Sequence, residues 1–499
     1  MSTKHLKEAF VSNLSGTGIT EISLGLIIAS LCFLFRGLLL ICFYTKHSIN
    51  KSWRVSFLFD FIVLIVPLVL SCTVFSSYLY VVSVSIATLC MLVFHSIYRR
   101  TLTSSKTSLN DICQAFLNAQ VENGPVPAVA DFRIFLNVLT AISILAVDFP
   151  AFPRRYAKTE TYGTGVMDMG VGGFIFGNAL VSPEARIQVR GTGSTFSTVK
   201  KQVLSVWPLV VLGLGRLISV KAVDYHEHVS EYGVHWNFFF TLAAVRVMSS
   251  LLLILVPPQK SYIIAAMVIS SYQILLELTD LMAFILHGSD GQGSRSGFLN
   301  ANREGIFSVI GYLGIYMTGV QVGLHVLRRR RFVKEWLELT WILAILSSLF
   351  FLSTAVFQSY MEPVSRRMAN FPFCTWIVGQ SLAWVCLFLL CDLLLALAKY
   401  MTPGSNLPCT WNVCSATKAP IRKATTVKEE VPLCLIEAIN RNQLLFFLLS
   451  NVLTGIVNMT IDTIHCSDCF SLFMLILYMC TNCFIIYMLH INNITIKFW

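Results

Sequence analysis

The chain has 499 residues, of which 55% are hydrophobic and only 13% charged, with a mean hydropathy of +0.69. A soluble domain carries about 25% charged residues, so this composition excludes a soluble enzyme. The net charge of +11 comes without a basic stripe interleaved with exposed aromatics, which excludes nucleic acid as a partner and leaves membrane lipids.

Apolar runs of about 20 residues predict an all-α, polytopic transmembrane helix bundle. Thirteen spans are expected, at 22–44, 56–73, 77–98, 132–152, 165–181, 202–219, 234–257, 261–286, 305–327, 336–357, 372–399, 438–459 and 468–490. The first is too long for a signal-peptide core and follows a polar segment, so it reads as a retained anchor. The domains are then a short N-terminal segment (1–21), one membrane domain (22–490) that must itself carry the function, and a short tail (491–499). The fifth span contains Asp168, Asn178 and five glycines, which predicts tight packing against other helices rather than contact with lipid. The twelfth is expected to begin as an amphipathic helix near Pro432, because Glu437 and Arg441 lie in its first turns.

Lys and Arg are about twice as frequent in the loops reached after the odd-numbered spans, which makes that side cytosolic, the N-terminus lumenal and the C-terminus cytosolic. The sequon Asn13-Leu14-Ser15 then lies in the lumen, open to glycosylation. A short loop on the disfavoured side nonetheless holds Arg154, Arg155 and Lys158, so something other than orientation placed them there. Polar residues also crowd the lumenal loops 220–235, 287–304 and 358–371, which locates the chemistry on that face.

Asp148 ends the fourth span, and Pro150 and Pro153 break the helix after it. A carboxylate at that depth suits a general base, and Lys158, ten residues on, suits a partner that holds the acid ionised, stabilises an oxyanion or binds phosphate. The structural alternative is an Asp–Lys or Asp–Arg pair closing the helix end. Asp168 reads as a buried carboxylate paired with Arg216 or Arg246, with Asn178 beside it in a supporting role. Glu231, His235 and Asn237 enter the seventh span as candidates for lining a polar cavity. Asn302, Arg303 and Glu304 open the ninth, where backbone N–H groups favour an anion, although a capping network accounts for them equally. His226-Glu227-His228 lacks the four-residue histidine spacing of a zinc helix, and no metal site is predicted. Cys466 and Cys469 form an isolated C-x-x-C and are expected to be free thiols.

VDFPAFPRRYAKTETYGTGVMDMGVG, HVSEYGVHWNFFFTL and GFLNANREGI closely resemble the inositol acyltransferases of glycosylphosphatidylinositol (GPI)-anchor synthesis, and the resemblance covers essentially the whole chain. It implies an endoplasmic reticulum membrane enzyme that moves a palmitoyl chain from acyl-CoA to the inositol 2-hydroxyl of glucosaminyl-phosphatidylinositol. Acyl-CoA is then a co-substrate, and no bound cofactor is expected. The family's catalytic acid and lysine correspond to Asp148 and Lys158. On this reading Arg154, Arg155 and Arg303 are phosphate contacts. The alternative is a lipid or sugar-phosphate transporter, which would place charges near the midplane of two symmetrical halves; the charges here cluster at one face and no internal repeat is found.

Overall fold

The computed structural model describes residues 10, 12–44, 52–105, 108–122, 124–186, 200, 203–222, 229–405, 407–414 and 433–496. The described residues form a helical bundle whose principal helices are α1 (Ile19–Tyr44), α2 (Trp53–Ser71), α3 (Leu79–Ser105), α4 (Pro127–Ala146), α5 (Met169–Leu180), α6 (Trp207–Ala222), α7 (Phe238–Leu255), α8 (Ser261–Leu278), α9 (Arg303–Val326), α10 (Val333–Tyr360), α11 (Phe371–Met401), α12 (Gln443–Thr460) and α13 (Asp468–Ile491). Among the described residues eleven helices are long and apolar enough to cross a membrane.

The exceptions are α5 and α6, which occupy the predicted fifth and sixth spans but are shorter. In α5 the cause is local: residues 163–168 are held in a loop by Asp168, and the helix begins only at Met169. The amphipathic start expected for the twelfth span is a separate short helix, Leu435–Arg441, broken from α12 at Asn442. A two-residue antiparallel pairing of Gln120–Val121 with Val413–Cys414 ties loops together at the opposite end of the bundle from Asp148.

Helices α4, α9 and α11 form the interior, buried on most faces, while α3 and α10 turn broad apolar surfaces outward. The glycine-rich α5 packs on α9 at backbone distance: a Cβ on Gly319 would lie 2.6 Å from the Ala179 Cβ, and one on Gly323 the same distance from the Leu180 carbonyl oxygen. Such contact between small residues replaces the hydrophobic drive that lipid does not supply. Thus α5 packs tightly, as its composition predicts.

Candidate active site

The segment from Val147 to Asp168 is built up by its own turns. Beyond α4 the chain tightens through hydrogen bonds from the Asp148 and Phe149 N–H groups to the Leu145 and Ala146 carbonyls. Arg154 fixes the turn that follows, donating to the carbonyl oxygens of Val147 (2.8 Å), Phe149 (2.9 Å) and Phe152 (2.8 and 3.1 Å). Withdrawal from water pulls the Arg154 guanidinium down to about 10, a shift the nearby Asp148 opposes. These contacts direct Arg154 at the protein backbone rather than at a substrate phosphate. Arg155 instead pairs with Glu21 (2.9 Å) and keeps 39% of its side chain exposed.

Asp148 is 5% exposed and accepts a 2.7 Å hydrogen bond from Asn458 Nδ2 at the end of α12. Lys158 does not pair with Asp148: its ammonium lies 2.7 Å from Glu231, in a short helix spanning Val229–Tyr232. Glu231 also faces Arg366 (3.4 Å), and Arg366 lies 2.8 Å from Asp168. Asp168 in turn accepts from the Thr159 N–H and hydroxyl, which returns the network to the residue beside Lys158. Lys158, Glu231, Arg366 and Asp168 are therefore one alternating chain of charge. Only Lys158, with 35% of its side chain exposed, opens appreciably to the surroundings.

Burial pushes the Glu231 carboxyl up, but Lys158 and Arg366 outweigh it and hold it at about 2. Burial pushes the Lys158 ammonium down; Glu231 opposes the shift, and Arg366 adds to it. Arg366 is pushed down by burial and, more strongly, up by its two carboxylates, so it stays charged.

The partner of Asp168 is therefore Arg366 and not, as the sequence suggests, Arg216 or Arg246; Arg246 pairs with Glu184 (3.1 Å). The reason is topological, since the 361–370 loop folds under the Lys158 segment. The Gly163 N–H donates to the Val364 carbonyl (2.8 Å), and the Ser365 hydroxyl to the Thr161 carbonyl (2.6 Å). From the other side the N-terminal residues 14–17 run along the same loop, with Glu160 N–H on Leu14 O (3.0 Å) and Thr17 N–H on Thr164 O (2.6 Å). Gly163 sits between these two neighbours at φ +119°, where a Cβ would come 2.0 Å from the Ser15 carbonyl oxygen. Gly163→Ala is therefore expected to lower stability by about 1–3 kcal/mol, read as a drop in melting temperature of the detergent-solubilised protein.

The remaining predicted site residues form a second polar centre, which the structure uses as scaffold. Glu304 is fully buried and accepts twice from Arg295 (2.7 and 2.8 Å) and once from Arg367 (2.8 Å). Arg303, 1% exposed, donates to the carbonyls of Ile285, Ser294 and Asn300. Asn302 receives the His235 N–H (2.8 Å), while the His235 side chain is exposed. Asn237 caps α7 by accepting from the Phe239 and Phe240 N–H groups and donates to Gly213 O. Residues 302–304 are thus neither an open anion site nor a cap of α9, to which Asn302 makes no side-chain bond, but a closed network of ion pairs and hydrogen bonds. Asn178 is exposed on α5, away from Asp168, so it does not brace that carboxylate. Asn13 is exposed. His226, Glu227 and His228 lie outside the described residues, among which no group of three His, Cys, Asp or Glu could hold a metal ion. Cys466 and Cys469 are free thiols.

Sequence reasoning counted Arg366 and Arg367 only as charges bearing on orientation. Yet they are neighbours that divide between the two centres, Arg366 to Glu231 and Asp168, Arg367 to Glu304. The available signal was a second Arg-Arg pair in a loop that the basic-residue count assigns to the lumen.

The family model described as GWT1 matches residues 3–489. The chain is 48% identical over 504 residues to glucosaminyl-phosphatidylinositol-acyltransferase PIGW of Bos taurus, covering 100% of both chains. It is 44% identical over 507 residues to the protein of the same name from Homo sapiens, again covering 100% of both. It is 34% identical over 532 residues to GPI-anchored wall transfer protein 1 of Candida glabrata, covering 99% of each. The chain belongs to the GWT1 family of glucosaminyl-phosphatidylinositol acyltransferases.

Proposed function

We propose that Asp148 and Lys158 carry out the acyl transfer. As a family member the chain is an acyl-CoA-dependent O-acyltransferase of GPI-anchor biosynthesis. Its acceptor is the inositol 2-hydroxyl of glucosaminyl-phosphatidylinositol, and its donor carries a palmitoyl chain. Asp148 takes the hydroxyl proton as that oxygen attacks the thioester carbonyl carbon. The C–O bond forms, the tetrahedral oxyanion collapses with cleavage of the C–S bond, and the departing CoA thiolate recovers the proton from Asp148. Lys158 has three N–H donors, of which Glu231 occupies one, so the rest can stabilise the oxyanion.

The observation that carries this reading is the contrast between two groups in one loop. A buried carboxylate is held by a neutral amide, and a partly open ammonium is held by a separate carboxylate. Had Asp148 and Lys158 paired with each other, each would have neutralised the other. Arg154 is a positioning residue for Asp148, and the exposed part of Arg155 is the better candidate for the lipid phosphate. Residues 22–490 act as one catalytic membrane domain in the endoplasmic reticulum, with the site on the lumenal face, a reading supported by the basic-residue excess in the opposite loops. Exposure of Asn13 on that face supports its glycosylation.

Purified protein incubated with glucosaminyl-phosphatidylinositol and palmitoyl-CoA should yield a product heavier by one palmitoyl group, with the ester on the 2-hydroxyl. No mass gain, or acylation elsewhere on the headgroup, would overturn the assignment. The role of Lys158 has its own test in Glu231→Gln. Glu231 raises the Lys158 pKa, so its removal lowers a value already depressed by burial. The alkaline limb of the kcat/KM profile should therefore move to lower pH. An unmoved limb would mean that the charge of Lys158 is not used.

A further inference from the structure

An acyl donor made on the cytosolic side must bring its thioester to Asp148 at the lumenal end. Helix α4 has incompletely buried positions along one face, Ala130 and Arg133 near its start and Thr140 and Ile144 near its end, continued by Val147; between them Asn137 is buried and donates to Gln443 O at the start of α12 (2.7 Å). These positions recur at helical spacing on one face, and the stripe ends beside Asp148. Helices α5 and α12 flank it. Helix α5 turns Gly170, Phe174 and Asn178 outward, its only incompletely buried positions. Helix α12 contributes Phe447, Gly455 and Asn458, of which Asn458 holds Asp148. Phe174 and Phe447 meet at 5.8 Å, joining the flanking helices near mid-depth. A Cβ added to Gly170 or to Gly455 would meet no atom within 4 Å, so both glycines border open space.

At the far end of this stripe stands Arg133, its stem resting on Gly177, where an added Cβ would lie 3.3 Å from the Arg133 Cγ. Among the described residues Arg133 has no carboxylate partner, and the charge nearest to it in effect is another arginine, Arg186. A cation inside a span, faced by a like charge, is costly unless an anion joins it. The separation along α4 identifies that anion. Arg133 and Asp148 are fifteen positions apart, or about 22 Å at ~1.5 Å per residue. The phosphate of glucosaminyl-phosphatidylinositol is attached next to the acylated hydroxyl and cannot be 22 Å from it. The arm between the sulfur and the first phosphorus of CoA spans about thirteen bonds, comparable to four extended residues or roughly 14 Å. Arginine side chains reach across the remainder.

Resting on the acyl-CoA reading above, we infer that Arg133 and Arg186 bind the phosphates of the acyl donor's CoA moiety, while its pantetheine arm lies along the α4 stripe to deliver the thioester to Asp148. The two arginines mark the cytosolic end of the route, and Phe174 and Phe447 border its middle.

The test compares palmitoyl-CoA with S-palmitoyl-pantetheine, which lacks the nucleotide and its phosphates, at saturating glucosaminyl-phosphatidylinositol. Arg133→Gln should raise KM for palmitoyl-CoA about tenfold while changing kcat little, and should leave KM for the pantetheine thioester and for the lipid acceptor unchanged. Arg133→Lys should retain much of the wild-type KM. Asn178→Trp, which fills the groove without altering charge, should raise KM for both thioesters alike. An unchanged palmitoyl-CoA KM in Arg133→Gln, or a rise confined to the lipid acceptor, would overturn the inference, as would an Asn178→Trp variant with unaltered thioester kinetics. Melting temperatures of the variants separate misfolding from lost binding. If Asp148→Asn stayed active while Arg133→Gln showed the selective rise, the base assignment would fall and the donor site would stand.

Discussion

Asp148→Asn is expected to lower kcat by about 10²–10⁴-fold, the range a positioned general base contributes, without loss of folded protein. The substitution is nearly isosteric, and the new side chain can still present an oxygen to the Asn458 amide that now donates to Asp148 Oδ2 at 2.7 Å. What disappears is the capacity to take a proton. Turnover measured by product mass, together with an unchanged melting temperature and unchanged palmitoyl-CoA KM, would identify a chemical role. Near-normal turnover would eliminate Asp148 as the base. Asn458→Ala is the informative companion, because it leaves the carboxylate in place while removing its fixed donor, so its effect reports positioning alone.

Arg366→Leu is expected to give the largest loss of stability, about 3–5 kcal/mol, because removing one member of a buried ion network leaves its partners charged and uncompensated. The Arg366 side chain is 4% exposed, and it sits between Asp168, which is fully buried, and Glu231, which is 13% exposed. Solvent therefore screens little of the interaction. The loop that carries Lys158 hangs from the same network through Thr159, so the variant should lose activity and melting temperature together. Adding Asp168→Asn to Arg366→Leu should recover part of the stability, since it removes one orphaned carboxylate. A single variant with wild-type melting behaviour would show that the network is dispensable for the fold. Arg154→Ala offers a contrast: it removes hydrogen bonds to neutral carbonyls and a cation near Asp148, which keeps its Asn458 donor, so its effect on stability should be smaller.

The periodic and compositional features were legible from the sequence because they depend on solvent and on nearest neighbours. Most long apolar runs became helices near their expected positions, although the fifth and sixth are shorter and the eighth breaks after Leu278 into a separate helix, Leu281–His287; the glycines of 165–177 announced close packing. Pro150 and Pro153 announced a break near Asp148, but the helix already ends at Ala146, so Asp148 lies in the turn rather than at the end of the span. Expectations that needed a partner fared differently. Lys158 is near Asp148 in sequence, yet it bonds Glu231, seventy-three positions away; Asp168 bonds Arg366, on a loop between the tenth and eleventh helices. Arg303 and Glu304 look like an anion site at a helix start, and they form a closed network because Arg295, Arg367 and three carbonyls reach them from other segments.

Taken alone, the sequence determined that this is a helical membrane protein, since apolar length is set by the bilayer, although it did not show that a second set of charges, the Arg36–Asp60 pair with Asp131 and Asp392, is buried within the spans. It also singled out Asp148 and Lys158 through their family motif. The tertiary structure alone decided the pairing of charges: which carboxylate holds Lys158, which arginine holds Asp168, and which arginines are tied to backbone. Ion pairs form between whichever opposite charges the packed helices bring within a few ångströms, and that proximity is a property of the assembled bundle rather than of any local stretch of chain.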